Sequence, residues 1–251
     1  RMTVAVAYKW ASNPQEASVS GDGVVDWSRA KPSVSEYDPV AIQFGRALAD
    51  ADGSELLGLS VGTTATAGSL AKKAAMSRGL DRGVVVADDD VATWNLTKVA
   101  EAVAQLVRRA ADVDVLLAGD ASIDENAKMV PALVAGYLGW PCFQDVADLR
   151  RTGDGWSLTQ NVAGGTRSVE VSGPVVVSVA SDAVQPKVPG MKDILAAGKK
   201  PVEEVPVADL GLAASDVEIV GRGKPASKAR KNVIVADADA LVSALRTDGL
   251  L

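Results

Sequence analysis

The chain has 251 residues, with 26 Lys and Arg against 32 Asp and Glu, no His and one Cys, for a formal charge of −6. These counts exclude Ser-His-Asp and Cys-His nucleophilic sites, histidine-bound zinc or iron, CxxC centres and an intrachain disulfide. A pI near 4.8 offers no electrostatic footprint for nucleic acid, and apolar runs such as VDVLLAG and PVVVSVA are far too short for a membrane span.

An apolar share of 47% supports a sizeable core. The opening RMTVAVAY reads as a strand, not a signal peptide, and Arg1 ahead of Met2 is set aside. A soluble, reducing, cytoplasmic setting is the expectation.

Short Val-rich runs alternate with helically periodic segments. Thr3 to Tyr8 is the first expected strand. Residues 40–51 follow as a helix with Val40, Phe44, Ala47, Leu48 and Ala51 on one face. ELLGLSVG, ending at Gly62, is the second strand. SLAKKAAMSRG is a helix stopped at Gly79. Gly83 to Ala87 is the third strand. The next helix carries Leu96, Val99, Val103, Leu106 and Ala110 at spacings of three and four. VDVLLAG is the fourth strand, KMVPALVAGYLG a helix, and Pro174 to Ala180 a fifth strand.

Apolar rather than alternating strands, separated by helices, predict a mostly parallel, Rossmann-like α/β sheet covered on both faces. Trp156 to Val171 interrupts this pattern as a hairpin with a Gly-Gly turn, expected at a sheet edge. Ser12 to Ser35 is an irregular insert with an SGDG turn. The organisation predicted is an α/β nucleotide-binding domain over 1–180 and an extended arm over 181–251, packed on the domain or on a partner. The tail of the arm is expected to end in a short strand (KNVIV) and a helix from Asp237 to Arg246.

Parallel sheets bind ligands beyond the carboxyl ends of their strands, where the strand order reverses. Three loops qualify. AYKW (Ala7 to Trp10) is one. SVGTTATAG (Ser60 to Gly68) offers amides and hydroxyls for an anion, or is an ordinary strand-to-helix loop. LLAGDASIDENAKMVPALVAG (Leu116 to Gly136) is the third. There Gly119 permits close backbone approach, Asp124 suits a ribose hydroxyl, Lys128 suits a phosphate, and Asn126 is placed near a helix cap. Plain capping explains Asp124 and Asn126 equally well.

In the arm, Lys187, Lys192, Lys199 and Lys200 surround Met191, either a probe for an apolar pocket on another protein or a locally buried side chain in a solvated charge run. The acidic clusters at Asp88–Asp90 and Glu203–Glu204 read as surface, Trp10 and Trp140 as candidates for lying near ligand or partner loops, and Cys142 as a small buried hydrophobe. No general acid–base pair stands out, and neither GxGxxG nor GxxxxGK[ST] occurs.

At these motifs the chain resembles the beta subunit of electron transfer flavoproteins, over almost its whole length. The family's Val-Lys-Arg strand end appears as VAYK with Trp10 in the basic position. Its Asn-Pro-Phe segment appears as SEYDPVAI (Ser35 to Ile42), and its Ser-Xaa-Gly-Pro loop as SVGT (Ser60 to Thr63). AMSRGLDRGV, the Gly119 to Glu125 loop, YLGWP, the hairpin glycines and QPKVPGMKDILAAGKKP (Gln185 to Pro201) also match.

The resemblance implies a divergent paralogue of that subunit, and so a heterodimer. An alpha subunit would hold most of a redox-active FAD. The beta subunit would enclose a structural AMP, with a second FAD at that place in electron-bifurcating relatives. It would relay no proton itself. The nucleotide contacts it implies fall on Ala7, Lys9, Ser35, Glu36, Tyr37, Asp38, Val61, Gly119, Ser122, Ile123, Asp124, Asn126, Ala127, Lys128, Met129 and Val130. The arm, through Met191, Lys187, Lys192 and Ile194, would anchor a dehydrogenase, Met191 standing where the family has a leucine.

Two departures matter. The family's phosphate-binding Asn-Gln-Thr-Gly is Lys128 to Pro131 here, so Lys128 supplies a point charge in place of an asparagine, or the cavity holds something else or nothing. Asn-Pro-Phe is Ser35-Glu36-Tyr37, and Glu36 must point away from any phosphate. The competing readings are a universal-stress-type adenine-nucleotide domain without redox role, disfavoured by the long arm, and a phosphate- or adenylate-transferring enzyme, disfavoured by the missing phosphate loop.

Overall fold

The structure is a computed structural model and describes residues 2–214, 217–221 and 223–251; Arg1 lies outside them. From the N-terminus run β1 (Thr3–Ala7), the short strands β2 (Trp10–Ser12), β3 (Ser18–Val19), β4 (Val25–Asp26) and β5 (Pro32–Val34), then α1 (Asp38–Asp52), β6 (Glu55–Gly62) and α2 (Ser69–Met76). β7 (Arg82–Ala87), α3 (Leu96–Arg109), β8 (Val113–Ala118) and α4 (Val130–Leu138) complete the alternation. The antiparallel run β9 (Cys142–Thr152), β10 (Gly155–Val162), β11 (Gly165–Ser172) precedes β12 (Val175–Val179); α5 (Met191–Ala197), β13 (Val202–Glu204) and α6 (Ala238–Thr247) close the chain.

Among the described residues, one nine-stranded sheet has the order β11-β10-β9-β12-β8-β1-β6-β7-β13. β1 pairs in parallel with both β6 and β8, so the chain winds outward in one direction from β1 and then returns to start again on its other side. That reversal opens a crevice between the carboxyl ends of β1 and β8. This is the mostly parallel α/β architecture expected from the sequence.

Successive residues on each strand feed opposite layers. Val4, Val6, Val115 and Leu117 pack with Ile42 and Leu48 of α1 and Met76 of α2. Ala5, Leu57, Leu59 and Leu116 pack with Val103, Leu106 and Val107 of α3 and Val134 of α4. α3 starts where the Asn95 side chain accepts the Lys98 N–H at 2.9 Å, and Arg108 and Arg109 complement its C-terminal dipole. α1 buries Val40, Ala41, Ile42, Gly45, Leu48 and Ala49 and packs Phe44 against the same core, so the expected face holds at Val40, Phe44 and Leu48, while Ala47 and Ala51 face solvent. Gly45 decides this: a Cβ there would lie 2.9 Å from Val6 Cγ2 and Leu56 Cδ1, so its absence lets the helix sit on the sheet.

The expected hairpin lies at the sheet edge as β10 and β11, but it is the outer part of a three-stranded antiparallel extension, because β9, which sequence reading missed, pairs in parallel with β12 and antiparallel with β10. Two expectations change. α4 begins at Val130 rather than Lys128, since Lys128 has φ of 55° and cannot continue a helix. KNVIV forms no strand, and Val233 and Ile234 are exposed. The helix beyond it does form, capped by Asp237, which accepts from Ala240 N at 2.8 Å.

The arm is fixed at its base and bare at its tip. β13 adds to the sheet beside β7, and Ala197, Val205 and Leu210 are buried. Lys200 Nζ donates to the carbonyls of Met76 and Leu80 at the end of α2. Met191 is 73% exposed, with Val188 and Leu195 also open, so Met191 is not locally buried.

Candidate functional site

A cavity of about 390 Å³ occupies the crevice between the strand ends, within the range of small-molecule sites. Its walls come from the loops after β1 (Ala7 to Ser12), β6 (Ser60 to Thr63) and β8 (Gly119 to Pro131), with the start of α3 as the apolar side.

Two ion pairs line it. Lys9 Nζ meets the Asp124 carboxylate at 2.8 Å, joining the β1 and β8 loops. Lys128 Nζ meets Asp120 at 2.6 Å, which favours its charged form; this pair is more exposed and therefore weakly held. The loop carrying Lys128 has left-handed residues at Asn126 (φ 49°) and Lys128 (φ 55°). Gln144 fixes it by donating to Lys128 O at 2.8 Å. Such strain persists only where surroundings impose it.

Asp38, the first residue of α1, is buried in the cavity floor and accepts the Lys9 N–H at 2.7 Å. Burial pushes its carboxyl up to about 7, opposed by the amides of Lys9 and Gly119 and by the Lys9 charge, and reinforced by Asp124. Tyr8 is buried alongside; burial, then the Asp38 charge, raise its phenol far above its usual value. Gly119 has to be glycine, since a Cβ would lie 2.6 Å from Asp38 Oδ1 and 2.9 Å from the Tyr37 carbonyl carbon.

Of the residues singled out from sequence, Ala7, Lys9, Asp38, Val61, Gly119, Ser122, Asp124, Ala127, Lys128, Met129 and Val130 line the cavity. Ser35, Glu36, Tyr37, Ile123 and Asn126 do not. Ser35 is fully buried and accepts the Ile123 N–H at 3.1 Å, so both brace the wall from behind. Glu36 is exposed, away from the cavity as a phosphate would require. Asn126 does not cap α4; Met129 occupies that position without a side-chain bond.

The threonine loop does less than its composition suggests. Thr64 gives its N–H and hydroxyl to Asp89 (3.0 and 2.8 Å), Thr66 folds under Gly62, and only Ser60 to Thr63 reach the cavity. Ser60 Oγ is spent on Tyr8 O at 2.8 Å.

Sequence reasoning missed Trp27 and Trp94, which line the cavity with Trp10; Trp140 packs instead against the core. Trp94 had one local signal, its place just ahead of the Asn95 helix cap. Trp27, on the insert, had none. Cys142 is partly buried and burial pushes its thiol up to about 11, as for an inert side chain.

Among the described residues no group of acidic or Cys side chains is placed to hold a metal, and no helix is long and apolar enough to cross a membrane. The arrangement can hold a flat ring against Trp and Val side chains and polar groups against Asp124, Lys128 and the start of α4. A family model described as the electron transfer flavoprotein domain matches residues 22–210, from the insert through the β6 and β8 cavity loops to the base of the arm. The chain belongs to the electron transfer flavoprotein domain family.

Proposed function

We propose that the chain is the beta subunit of a heterodimeric electron transfer flavoprotein. Its alpha subunit carries most of the FAD, and the beta subunit encloses AMP and anchors a dehydrogenase. The observation that carries this reading is the convergence of the β1, β6 and β8 loops on one cavity, while the tip of the arm stays bare outside it.

The residues present fit AMP in size and chemistry. Trp94, Val61 and Val99 offer an apolar wall to the base. Asp124 accepts from ribose hydroxyls. Lys128, more than half exposed, exchanges its partly buried Asp120 partner for the phosphate at the start of α4, where the helix dipole favours an anion. A nucleotide bound in this way stabilises the fold, and with it the dimer, by linkage.

FAD, when bound, accepts and passes on electrons, and that chemistry is the flavin's own. This chain's residues bind, brace and dock. Met191, Val188 and Leu195 form an apolar tip rimmed by Lys187 and Lys192. Asp193 holds its shape by accepting from Gly190 N at 3.0 Å and pairing with Lys187 at 3.4 Å. A small apolar contact with a charged rim suits a transient redox complex. α6 buries none of its residues on this chain, which supports a covering partner for Leu241 and Val242.

Gentle purification from the native source tests the pairing. A larger flavin-containing subunit is expected at one-to-one ratio; recovery of this chain from that source without any partner overturns it. Mass spectrometry of the denatured complex is expected to release AMP alongside FAD from the alpha subunit. A second FAD per complex, or no nucleotide beyond one FAD, overturns the AMP assignment.

A further inference from the structure

Asp38 stands at the reversal of strand order, where α1 begins, and is only 5% exposed. Its Oδ2 accepts the Lys9 N–H at the end of β1. Its Oδ1 packs onto Gly119 at the end of β8, close enough that no side chain fits between them, and the Gly119 amide stabilises the same carboxylate. Its own N–H donates to Ser35 O at 2.9 Å, and the Ser35 hydroxyl accepts from Ile123 N. One carboxylate therefore touches both lips of the cavity and is linked through Ser35 to the loop beyond β8.

We propose that Asp38 is a positioning residue that clasps the ends of β1 and β8 at the separation that receives the ligand, acting from the cavity floor. This rests on the nucleotide-cavity reading. Ionised, the carboxylate serves amides from both strand ends. Protonated, it turns one oxygen into a donor facing N–H groups and releases one lip. The charged and titratable groups facing it are Tyr8 and Lys9 from the loop after β1 and Asp124 from the β8 loop. The Lys9–Asp124 pair spans the same two lips above it, so opening the clasp loosens that pair as well. Ligand binding is then weaker on the acid side of neutrality.

The test uses the full chain and two readouts. Amide resonances are followed by nuclear magnetic resonance from about pH 5.5 to about pH 8.5. The Lys9 and Gly119 amides are expected to shift together with one midpoint near 7. Independent behaviour, or no shift in either, overturns the clasp and needs no variant. Adenosine binding is then measured for wild type and Asp38→Asn. Adenosine is the probe because its charge is constant over this range, whereas a nucleotide phosphate titrates near 6. Asp38→Asn is expected to bind about tenfold more weakly and to lose the pH dependence; wild-type affinity in the variant overturns the proposal. If wild type binds neither adenosine nor AMP, the nucleotide reading fails, and the paired amide shifts still judge the clasp.

Discussion

Gly119→Ala puts one methyl group where the cavity is tightest. The new Cβ would lie 2.6 Å from Asp38 Oδ1 and 2.9 Å from both the carbonyl carbon and Cβ of Tyr37. Ordinary contact needs roughly 3.5 Å or more, so the carboxylate must retreat by almost 1 Å and the Tyr37 backbone by more than half that. Neither is free to do so, because Asp38 is buried and bonded to Lys9, and Tyr37 leads directly into α1. Overpacking of this kind costs about 1–3 kcal/mol, and a weakened hydrogen bond to a charged acceptor adds about 1 kcal/mol or more. The expected loss is therefore about 2–4 kcal/mol in urea unfolding, with an unchanged denaturant slope. In a chain of this size it lowers the melting temperature by roughly 4–16 °C. Adenosine or AMP binding, followed by calorimetry on the surviving folded protein, is expected to fall at least about tenfold, because the lips are forced apart. Gly119→Ala with wild-type stability and wild-type binding would refute the steric account of the crevice.

Met191→Asp is expected to slow electron transfer to the dehydrogenase severalfold at unchanged flavin content, with stability within about 0.5 kcal/mol of wild type, since the side chain is largely exposed; equal loss of flavin would make it structural. Lys200→Met removes donors from two carbonyls at the end of α2 and loosens the base of the arm, an expected cost of about 1–2 kcal/mol in urea unfolding. Asp38 carries a folded pKa of about 7, above its unfolded value of 3.8. Between those values the native chain holds a proton that the unfolded chain has released. Its contribution to stability therefore falls as pH rises through that window, at no more than about 1.4 kcal/mol per pH unit, and levels off above 7. Unfolding at pH 5, 6 and 8 for wild type and Asp38→Asn checks the sign, the variant having the flatter profile. Lys128→Ala is expected to weaken AMP more than adenosine, because only the phosphate uses its charge; equal weakening of both would remove Lys128 from the phosphate subsite.

The helices and buried strands were legible because burial on both faces writes itself as continuous Val and Leu runs, and one-sided burial as spacings of three and four. β9 was not legible. Only Val146 and Leu149 of its eleven residues are buried, and it exists because β12 and β10 supply partners on both sides. β13 escaped for the same reason: Val202-Glu203-Glu204 has no strand pattern, and the edge of β7 organises it. KNVIV is the converse, a run of strand-forming residues that forms no strand.

The sequence alone determined the parallel α/β class, the strand ends that carry the polar loops, and a composition of no histidine and one cysteine, because periodicity and composition are local properties. Tertiary structure alone decided which polar groups meet. In the sequence Asp38 stood out only among the nucleotide contacts that the family resemblance implies. It became the tie between β1 and β8 only when two strands far apart in the chain were placed side by side. Trp27 and Trp94 reached the cavity in the same way, and Thr64 and Thr66, suited to an anion by composition, were taken up by Asp89 and Gly62 instead. Side-chain partners are set by distances in space, and no local pattern encodes a contact between residues eighty positions apart.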